Sequence, residues 1–175
     1  LMKYKIKDIG HTVGHIINKL QEFGGKYFLH GGIIRDFFLN VKSTDIDIIF
    51  DTNVSKLEEL CKIEGWPCTD IRQREQYINF GEDKGISLEG SNIKHSFLVH
   101  PHEHEATIND FAFDLQHNIL IDTSGFGLQD VLYRKIRLTP MPRYWNMWAK
   151  SGGSKKPLRY FKLIQKGFKP LHKDI

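Results

Sequence analysis

Two aspartates stand two positions apart in an apolar stretch of this 175-residue chain. The run Asp45-Ile46-Asp47-Ile48-Ile49-Phe50 predicts a strand, on which residues two apart face the same side. Asp45 and Asp47 then project together, with Cα atoms about 6.6 Å apart at the usual strand rise. Two carboxylates on one face repel each other unless a cation lies between them, so the pair predicts a metal site. The alternative is an exposed acidic edge that binds no ion.

The metal expected at such a pair is Mg²⁺, with Mn²⁺ as the alternative ion. Mg²⁺ favours oxygen ligands and commonly bridges carboxylates and substrate phosphates. Two such ions can clamp the attacking and leaving oxygens of an in-line phosphoryl displacement. The aspartates therefore point to phosphoryl transfer chemistry.

A glycine pair lies upstream of the aspartates, where it could hold phosphate. Residues 27–29 predict a short buried strand, Gly31 and Gly32 a turn, and residues 33–39 a helix. Backbone approaches a ligand closely at glycine, and the free N–H groups of a helix start can hold phosphate oxygens. Arg35 could add a forked contact to the same phosphate. Taken alone, this signal is weak because glycine pairs are common in turns.

The elements that must position these residues follow from periodicity and from turn residues. Residues 139–156 read as a linker, and Pro157 suits the first turn of a helix over 157–167. Strands mixed with intervening helices indicate an α/β or α+β fold. The other predicted elements are a helix over 9–23, a helix to Glu64 capped by Asn53 or Ser55, strands over 77–80 and 86–88, a hairpin or a helix running into one over 108–122, a helix over 128–132 and a strand over 136–138.

Composition and charge limit the class of protein. With 40% apolar residues the chain can build a core without disulfides, and no apolar run approaches membrane-spanning length. Cys61 and Cys68 match no metal knuckle or redox pair, so we predict a cytoplasmic, reducing location without a secretory signal. From Arg134 onward the chain carries a net charge of +11, against −7 before it. This basic part, rich in aromatics, predicts contact with RNA or, equally, a solvated tail.

The combination of motifs is more specific than its parts. G-G-x-x-R-D, followed nine residues later by D-x-D, resembles the head-domain signature of tRNA CCA-adding enzymes and bacterial poly(A) polymerases. These form the second class of the polymerase-β-like nucleotidyltransferases. The resemblance runs from about residue 27 to residue 168. It also includes Thr107-Ile108-Asn109 with Ala112-Phe113-Asp114, Ile121-Asp122 through Gly125, Gly127, Leu128, Asp130 and Ile136-Arg137, and Pro157-Leu158-Arg159-Tyr160-Phe161-Lys162.

The resemblance implies a head domain over residues 1–138, a linker over 139–156 and the first helix of a neck over 157–175. The head would be a mixed β-sheet flanked by helices. Asp45 and Asp47 would be the catalytic, metal-binding pair, and Glu89 a third carboxylate with Asp83 as its competitor. The residues implied to bind the nucleotide are Gly31, Gly32, Arg35, Asn109, Arg159 and Lys162.

The resemblance also implies a reaction and its partners. An acceptor hydroxyl, expected at an RNA 3′ end and foremost at that of a tRNA, would attack the α-phosphate of ATP or CTP and release pyrophosphate. The chain ends near the family's neck, so it is expected to be a fragment or a minimal protein with another acceptor. Two other functions stay open: transfer to a protein or another acceptor, and an inactive nucleotide- or RNA-binding module.

The chain departs from the family pattern at the edge of the predicted site. The family's R-R-D place holds residues 103–105, of sequence Glu-His-Glu, and Lys162 replaces an arginine and loses its fork. His100, His102 and His104 alternate and could bind Zn²⁺ or Ni²⁺, although a mobile polar loop is favoured. Trp145 and Trp148 could stack on bases or pack as anchors.

Overall fold

The structure is a computed structural model that describes residues 11–66, 68–83, 86–96, 98, 104–139 and 155–171. In chain order its helices and strands are α1 His11–Phe23, β1 Tyr27–His30, α2 Gly32–Phe38, β2 Asp45–Phe50, α3 Val54–Glu64, β3 Thr69–Arg72, β4 Tyr77–Asp83, β5 Ile86–Asn92, β6 Phe111–Asp114, β7 Ile119–Asp122, α4 Gly127–Leu132, β8 Lys135–Ile136, α5 Lys155–Gln165 and β9 Lys169–Pro170. Short 3₁₀ turns span Ile93–His95 and Thr107–Asn109.

Seven of the strands form one mixed sheet in the order β3-β4-β5-β2-β1-β6-β7. β2 pairs with β5 in parallel, and the other neighbours pair antiparallel. The parallel register sets Asp47 opposite Glu89, and the antiparallel register sets His30 opposite Asp47. The predicted α+β architecture, a mixed sheet flanked by helices, is therefore confirmed.

Alternation along the strands divides the sheet into two faces. On one face, Leu29, Ile48 and Leu88 pack in the main core with apolar residues of α1, α2 and α3. On the other face, Phe28 and Ile49 belong to a smaller apolar cluster. Because residues two apart share a face, the strand geometry places Asp45 and Asp47 on this second, less covered face.

Most of the predicted elements are present within two or three residues of their expected bounds. For residues 108–122 the sequence left a hairpin and a helix running into one as alternatives. The structure shows a β6–β7 hairpin with Phe111 opposite Asp122. Strand β3 was missed because it is a mostly exposed edge strand with polar residues, which carry little periodic signal. Most of the predicted linker, with Trp145 and Trp148, lies outside the described residues.

Cys61 and Cys68 form a disulfide, although their spacing matches no redox motif and favoured a reducing location. Gly65 adopts a left-handed conformation that ends α3, and Trp66 N–H donates to the Cys61 carbonyl at 2.9 Å. This reversal brings the two Cα atoms to 6.2 Å, a proximity that spacing alone does not reveal. The cytoplasmic location loses its support from the cysteines and stays a prediction.

Helix α5, the predicted first neck helix, packs directly on the head. Leu163 and Phe168 are buried in the main core, and β9 runs parallel to β8 with Lys169 opposite Lys135. This docking places Arg159 and Lys162 of α5 in the same cleft as Asp45 and Asp47 of β2. The division into head, linker and neck stays a prediction. Of the helices that the structure describes, none has the length and apolar character needed to cross a membrane.

Candidate active site

Three carboxylates meet on the second face of the sheet. Asp45 is exposed at the start of β2, Asp47 is half-buried, and Glu89 stands opposite Asp47 on β5. Burial, followed by repulsion from Asp45 and Glu89, raises the pKa of Asp47 to about 7, although Arg159 and His104 act in the opposite direction. The cluster therefore carries more negative charge than its protein surroundings neutralise.

This charge and these oxygen donors fit a divalent cation. Among the residues that the structure describes, no group of three or more His, Cys, Asp and Glu side chains is arranged to hold an ion by itself. Mg²⁺ is usually bound by one or two carboxylates together with water and substrate phosphates, so a two-aspartate site is sufficient. The donor set is therefore compatible with Mg²⁺ or Mn²⁺ that shares its coordination with a substrate.

The glycine turn lies directly beside the aspartates. Gly31 has φ 70° and ψ −134°, which only glycine adopts readily, and its N–H donates to the Phe111 carbonyl at 3.2 Å. A Cβ at Gly31 would lie 3.7 Å from Asp47 Oδ2, and one at Gly32 would lie 3.2 Å from Arg35 Nη2. A side chain at Gly31 would fill space next to Asp47, and one at Gly32 would press on the Arg35 guanidinium.

Arg35, predicted to contact a phosphate, lines a cleft beside the aspartates and is also held by protein partners. It is only 8% exposed, and its Nε and Nη2 donate to Asp36 Oδ1 at 2.9 and 2.7 Å. Nη1 donates to Asn109 Oδ1 at 2.7 Å, and Lys166 Nζ also binds Asp36, at 3.1 Å. Three of the five N–H groups of this guanidinium are thus used internally, so at most two are left for a ligand in the cleft.

We expect Asp36→Ala to lower the free energy of unfolding by about 3 kcal/mol, because it leaves two cations beside one another without their shared carboxylate. Urea unfolding followed by circular dichroism measures the change. Glu22→Ala, which removes an exposed partner of Lys19, is the control and should change the free energy of unfolding far less. Equal losses in the two variants would contradict a structural role for the Asp36 carboxylate.

Asn109 is held at the site by a buried network of hydrogen bonds. Its Nδ2 donates to Glu105 Oε1 at 3.1 Å, and Glu105 is 5% exposed. The turn that carries Asn109 is fixed from behind, since Thr107 Oγ1 donates to Asp130 Oδ2 at 2.7 Å and Arg137 Nε donates to the same oxygen at 2.9 Å. Asp130 and Arg137, which contribute to the family resemblance, thus hold this turn in place.

His104 and Asp110 form a pair that sequence reasoning missed. His104 Nδ1 lies 2.8 Å from Asp110 Oδ1, and its ring centroid lies 6.0 Å from that of His30. Burial, and secondarily His104, lowers the pKa of His30 to about 3, so this imidazole is neutral at physiological pH. The sequence marked His104 in two other ways, by its place within the region equivalent to R-R-D and by its alternation with other histidines. His100 and His102 lie outside the described residues.

The predicted binding residues converge on one cleft of about 320 Å³. Its acidic wall comes from β2 and its basic wall from the exposed side chains of α5, so a bound molecule would contact both. Glu89 pairs opposite Asp47 but is not among the residues that line this cleft, and the side chain of its competitor Asp83 lies outside the described residues. The predicted residues that line the cleft are Gly31, Gly32, Arg35, Asp45, Asp47, Asn109, Arg159 and Lys162.

Comparison with known proteins supports the fold. No protein-family profile matches the chain, and no curated protein matches it in sequence. The sheet and its flanking helices have the fold of a nucleotidyltransferase head, as solved structures show. More particularly, the similar structures are those of CCA-adding enzymes and related tRNA-processing enzymes.

Two similarities extend over nearly the whole chain. The Thermotoga maritima CCA-adding enzyme complexed with tRNA is 19% identical, with a TM-score of 0.74, over 98% of this chain and 44% of that one. An apo CCA-adding enzyme is 18% identical, with a TM-score of 0.71, over 96% of this chain and 42% of that one. A tRNA nucleotidyltransferase complexed with a primer tRNA and an incoming ATP analogue is 24% identical over 69% and 37%, with a TM-score of 0.57. The chain thus spans less than half the length of these proteins.

Proposed function

We propose that this chain is the catalytic head of a metal-dependent nucleotidyltransferase that transfers nucleotides from ATP or CTP to an RNA 3′ end, with tRNA as the expected acceptor. One observation carries the proposal: Asp45 and Asp47 share a face beside a glycine turn, in a cleft whose opposite wall is cationic. Such a cleft can take a triphosphate with its divalent ions. Similar folds in solved complexes with tRNA, ATP and CTP support this choice of substrates.

Each wall of the cleft has a distinct part in the proposed reaction. Asp45 and Asp47, with Glu89 beside them, would hold Mg²⁺ or Mn²⁺. When bound, such ions activate the attacking hydroxyl and neutralise charge that develops on the triphosphate. Arg159 and Lys162 are exposed on the facing helix and can neutralise phosphate charge from the other side. Gly31 and Gly32 leave room for the phosphates beside the acids.

Docking of α5 on the head is what allows these two walls to face each other. The buried Leu163 lies one position after Lys162 and ties the cationic side of the helix to the core. Charged groups fixed in advance need no reorganisation during the reaction, which is the main contribution that positioned side chains make to phosphoryl transfer. The sequence of α5 is thus proposed to serve both packing and substrate charge.

A second candidate function is binding of nucleotide or RNA without transfer. The observation that favours it is Arg35, whose guanidinium uses three of its five N–H groups on Asp36 and Asn109 and so has fewer left for a phosphate. In such a module the three carboxylates would bind a cation without turnover. The two functions therefore differ in whether pyrophosphate is released.

The test is an incubation with total RNA, with a tRNA lacking its 3′-terminal nucleotides and with no RNA, each with one nucleoside triphosphate and either Mg²⁺ or EDTA. Mass spectrometry of the RNA and a pyrophosphate assay report the products. Mg²⁺-dependent extension of the tRNA supports the proposal. Thermal stabilisation by Mg²⁺-ATP without pyrophosphate release would favour the binding module. A nucleotide found on protein, and none on RNA, would show that the acceptor is a protein.

A further inference from the structure

Tyr77 contacts the carboxylate that stands next to Asp47. Its hydroxyl donates a hydrogen bond to Glu89 Oε2 at 2.7 Å. β4 and β5 pair antiparallel with Asn79 opposite Glu89, so Tyr77 is the diagonal neighbour of Glu89 on the same face. Tyr77 thus approaches the acidic cluster from β4, whereas the glycine turn follows β1, which lies in the other direction from β2 across the sheet.

The Tyr77 ring is itself held by the neighbouring edge strand. The Arg72 guanidinium lies over the ring, 4.8 Å from its centroid, and Arg72 stands opposite Tyr77 in the β3–β4 pairing. Arg72 Nε donates to Asp70 Oδ1 at 2.8 Å, which fixes the guanidinium plane. Arg72, which is both the stacked cation and the cross-strand neighbour of Tyr77, restricts the two side-chain torsions that orient the hydroxyl.

The Tyr77 hydroxyl contacts one of the two Glu89 carboxylate oxygens, at 2.7 Å. A protonated phenol that donates to one carboxylate oxygen leaves the lone pairs of the other oxygen available. The Glu89 side chain, whose three rotatable bonds would otherwise disperse it, is thereby held beside Asp47.

We propose that Tyr77 is a positioning residue that orients Glu89 as the third carboxylate of the metal site, an inference that rests on the proposed nucleotidyl transfer. Partners that hydrogen-bond to metal ligands set the orientation of those ligands and strengthen metal binding. Asp45 and Asp47 lie on one strand and take their relative position from it, whereas Glu89 comes from another strand. The hydroxyl of Tyr77 would thus restrict the Glu89 side chain so that its other oxygen can join an ion held by Asp47.

The experiment compares wild type, Tyr77→Phe, Glu89→Gln and the double variant in two assays. Mn²⁺ is titrated into nucleotide-free protein and followed by electron paramagnetic resonance, and the Mg²⁺ concentration for half-maximal pyrophosphate release is measured at saturating triphosphate. Phe keeps the ring under Arg72 and removes only the hydroxyl. Tyr133→Phe, at a tyrosine 68% exposed, is the matched control, and thermal unfolding checks that each variant is folded.

We expect Tyr77→Phe to weaken Mn²⁺ binding about tenfold and to raise the Mg²⁺ requirement similarly, while the KM for the triphosphate changes less. Adding Tyr77→Phe to Glu89→Gln should have little further effect, because the hydroxyl acts through that carboxylate. If wild type is active and Tyr77→Phe has wild-type metal dependence in both assays, the inference is overturned and nucleotidyl transfer stands. If wild type neither binds Mn²⁺ nor releases pyrophosphate, the proposed function fails and the inference fails with it.

Discussion

Asp45→Asn and Asp47→Asn are each expected to reduce Mg²⁺-dependent pyrophosphate release by about 10³-fold, because each removes charge worth several kcal/mol of transition-state stabilisation. The two side chains share a face of β2 and line the cleft opposite Arg159 and Lys162. Asn has nearly the same size as Asp, so the fold should persist. Initial rates of pyrophosphate release at saturating Mg²⁺ and triphosphate provide the measurement.

Asp51→Asn is the matched control for this loss. Asp51 follows directly after β2, and its carboxylate accepts a hydrogen bond from the Lys26 N–H at 2.7 Å, away from the cleft. This variant should retain the wild-type rate within a small factor. If the Asp47 variant retained wild-type activity, the acidic cluster would not be the metal site, and the proposed reaction would need another centre.

The second large effect concerns stability and pH in the absence of divalent ions. Burial, with repulsion from Asp45 and Glu89, raises the pKa of Asp47 from an ordinary value near 3.8 to about 7. A raised acid pKa means that the native state binds a proton more tightly than the unfolded chain does. The stability due to the protonated carboxyl is fully present below about pH 4 and is lost as the pH rises through 7. The full loss from this shift is about 4 kcal/mol.

Urea unfolding in EDTA at several values between pH 4 and pH 8 measures this dependence. Other groups titrate in the same range, so the decisive quantity is the difference between wild type and Asp47→Asn. We expect Asp47→Asn to become progressively more stable than wild type as the pH rises toward 8. Excess Mg²⁺ should restore stability to wild type at pH 8 and have little effect on the variant. A pH-independent difference between the two proteins would show that Asp47 is well solvated or already neutralised.

Local patterns determined the positions of the two aspartates and of the glycine turn. The alternation of the 45–50 run placed both aspartates on one face, and the glycine pair placed a turn beside them. Both features depend on residues close in the chain, whose relative positions follow from strand rise and backbone sterics. The same reasoning located α3, where the Asn53 side chain caps the helix at Ser55 N–H, 2.8 Å away.

The neighbours of those residues come from distant parts of the chain, and local patterns do not specify them. The parallel pairing of β2 with β5 places Glu89 opposite Asp47. Asn109, 74 positions from Arg35, accepts a hydrogen bond from its guanidinium, a contact that no local pattern indicates. Likewise, the chain reversal at Gly65 brings Cys61 and Cys68 together in a disulfide that their spacing did not indicate.

The sequence by itself thus determined the acidic pair, the glycine turn and the type of most helices and strands, since these follow from periodicity and from glycine's backbone freedom. Only the tertiary structure decided which carboxylate stands opposite Asp47 in the sheet, which cations of α5 line the cleft, and where α5 lies. The physical reason is that strand order and helix docking depend on burial of apolar surface shared by segments far apart in the chain.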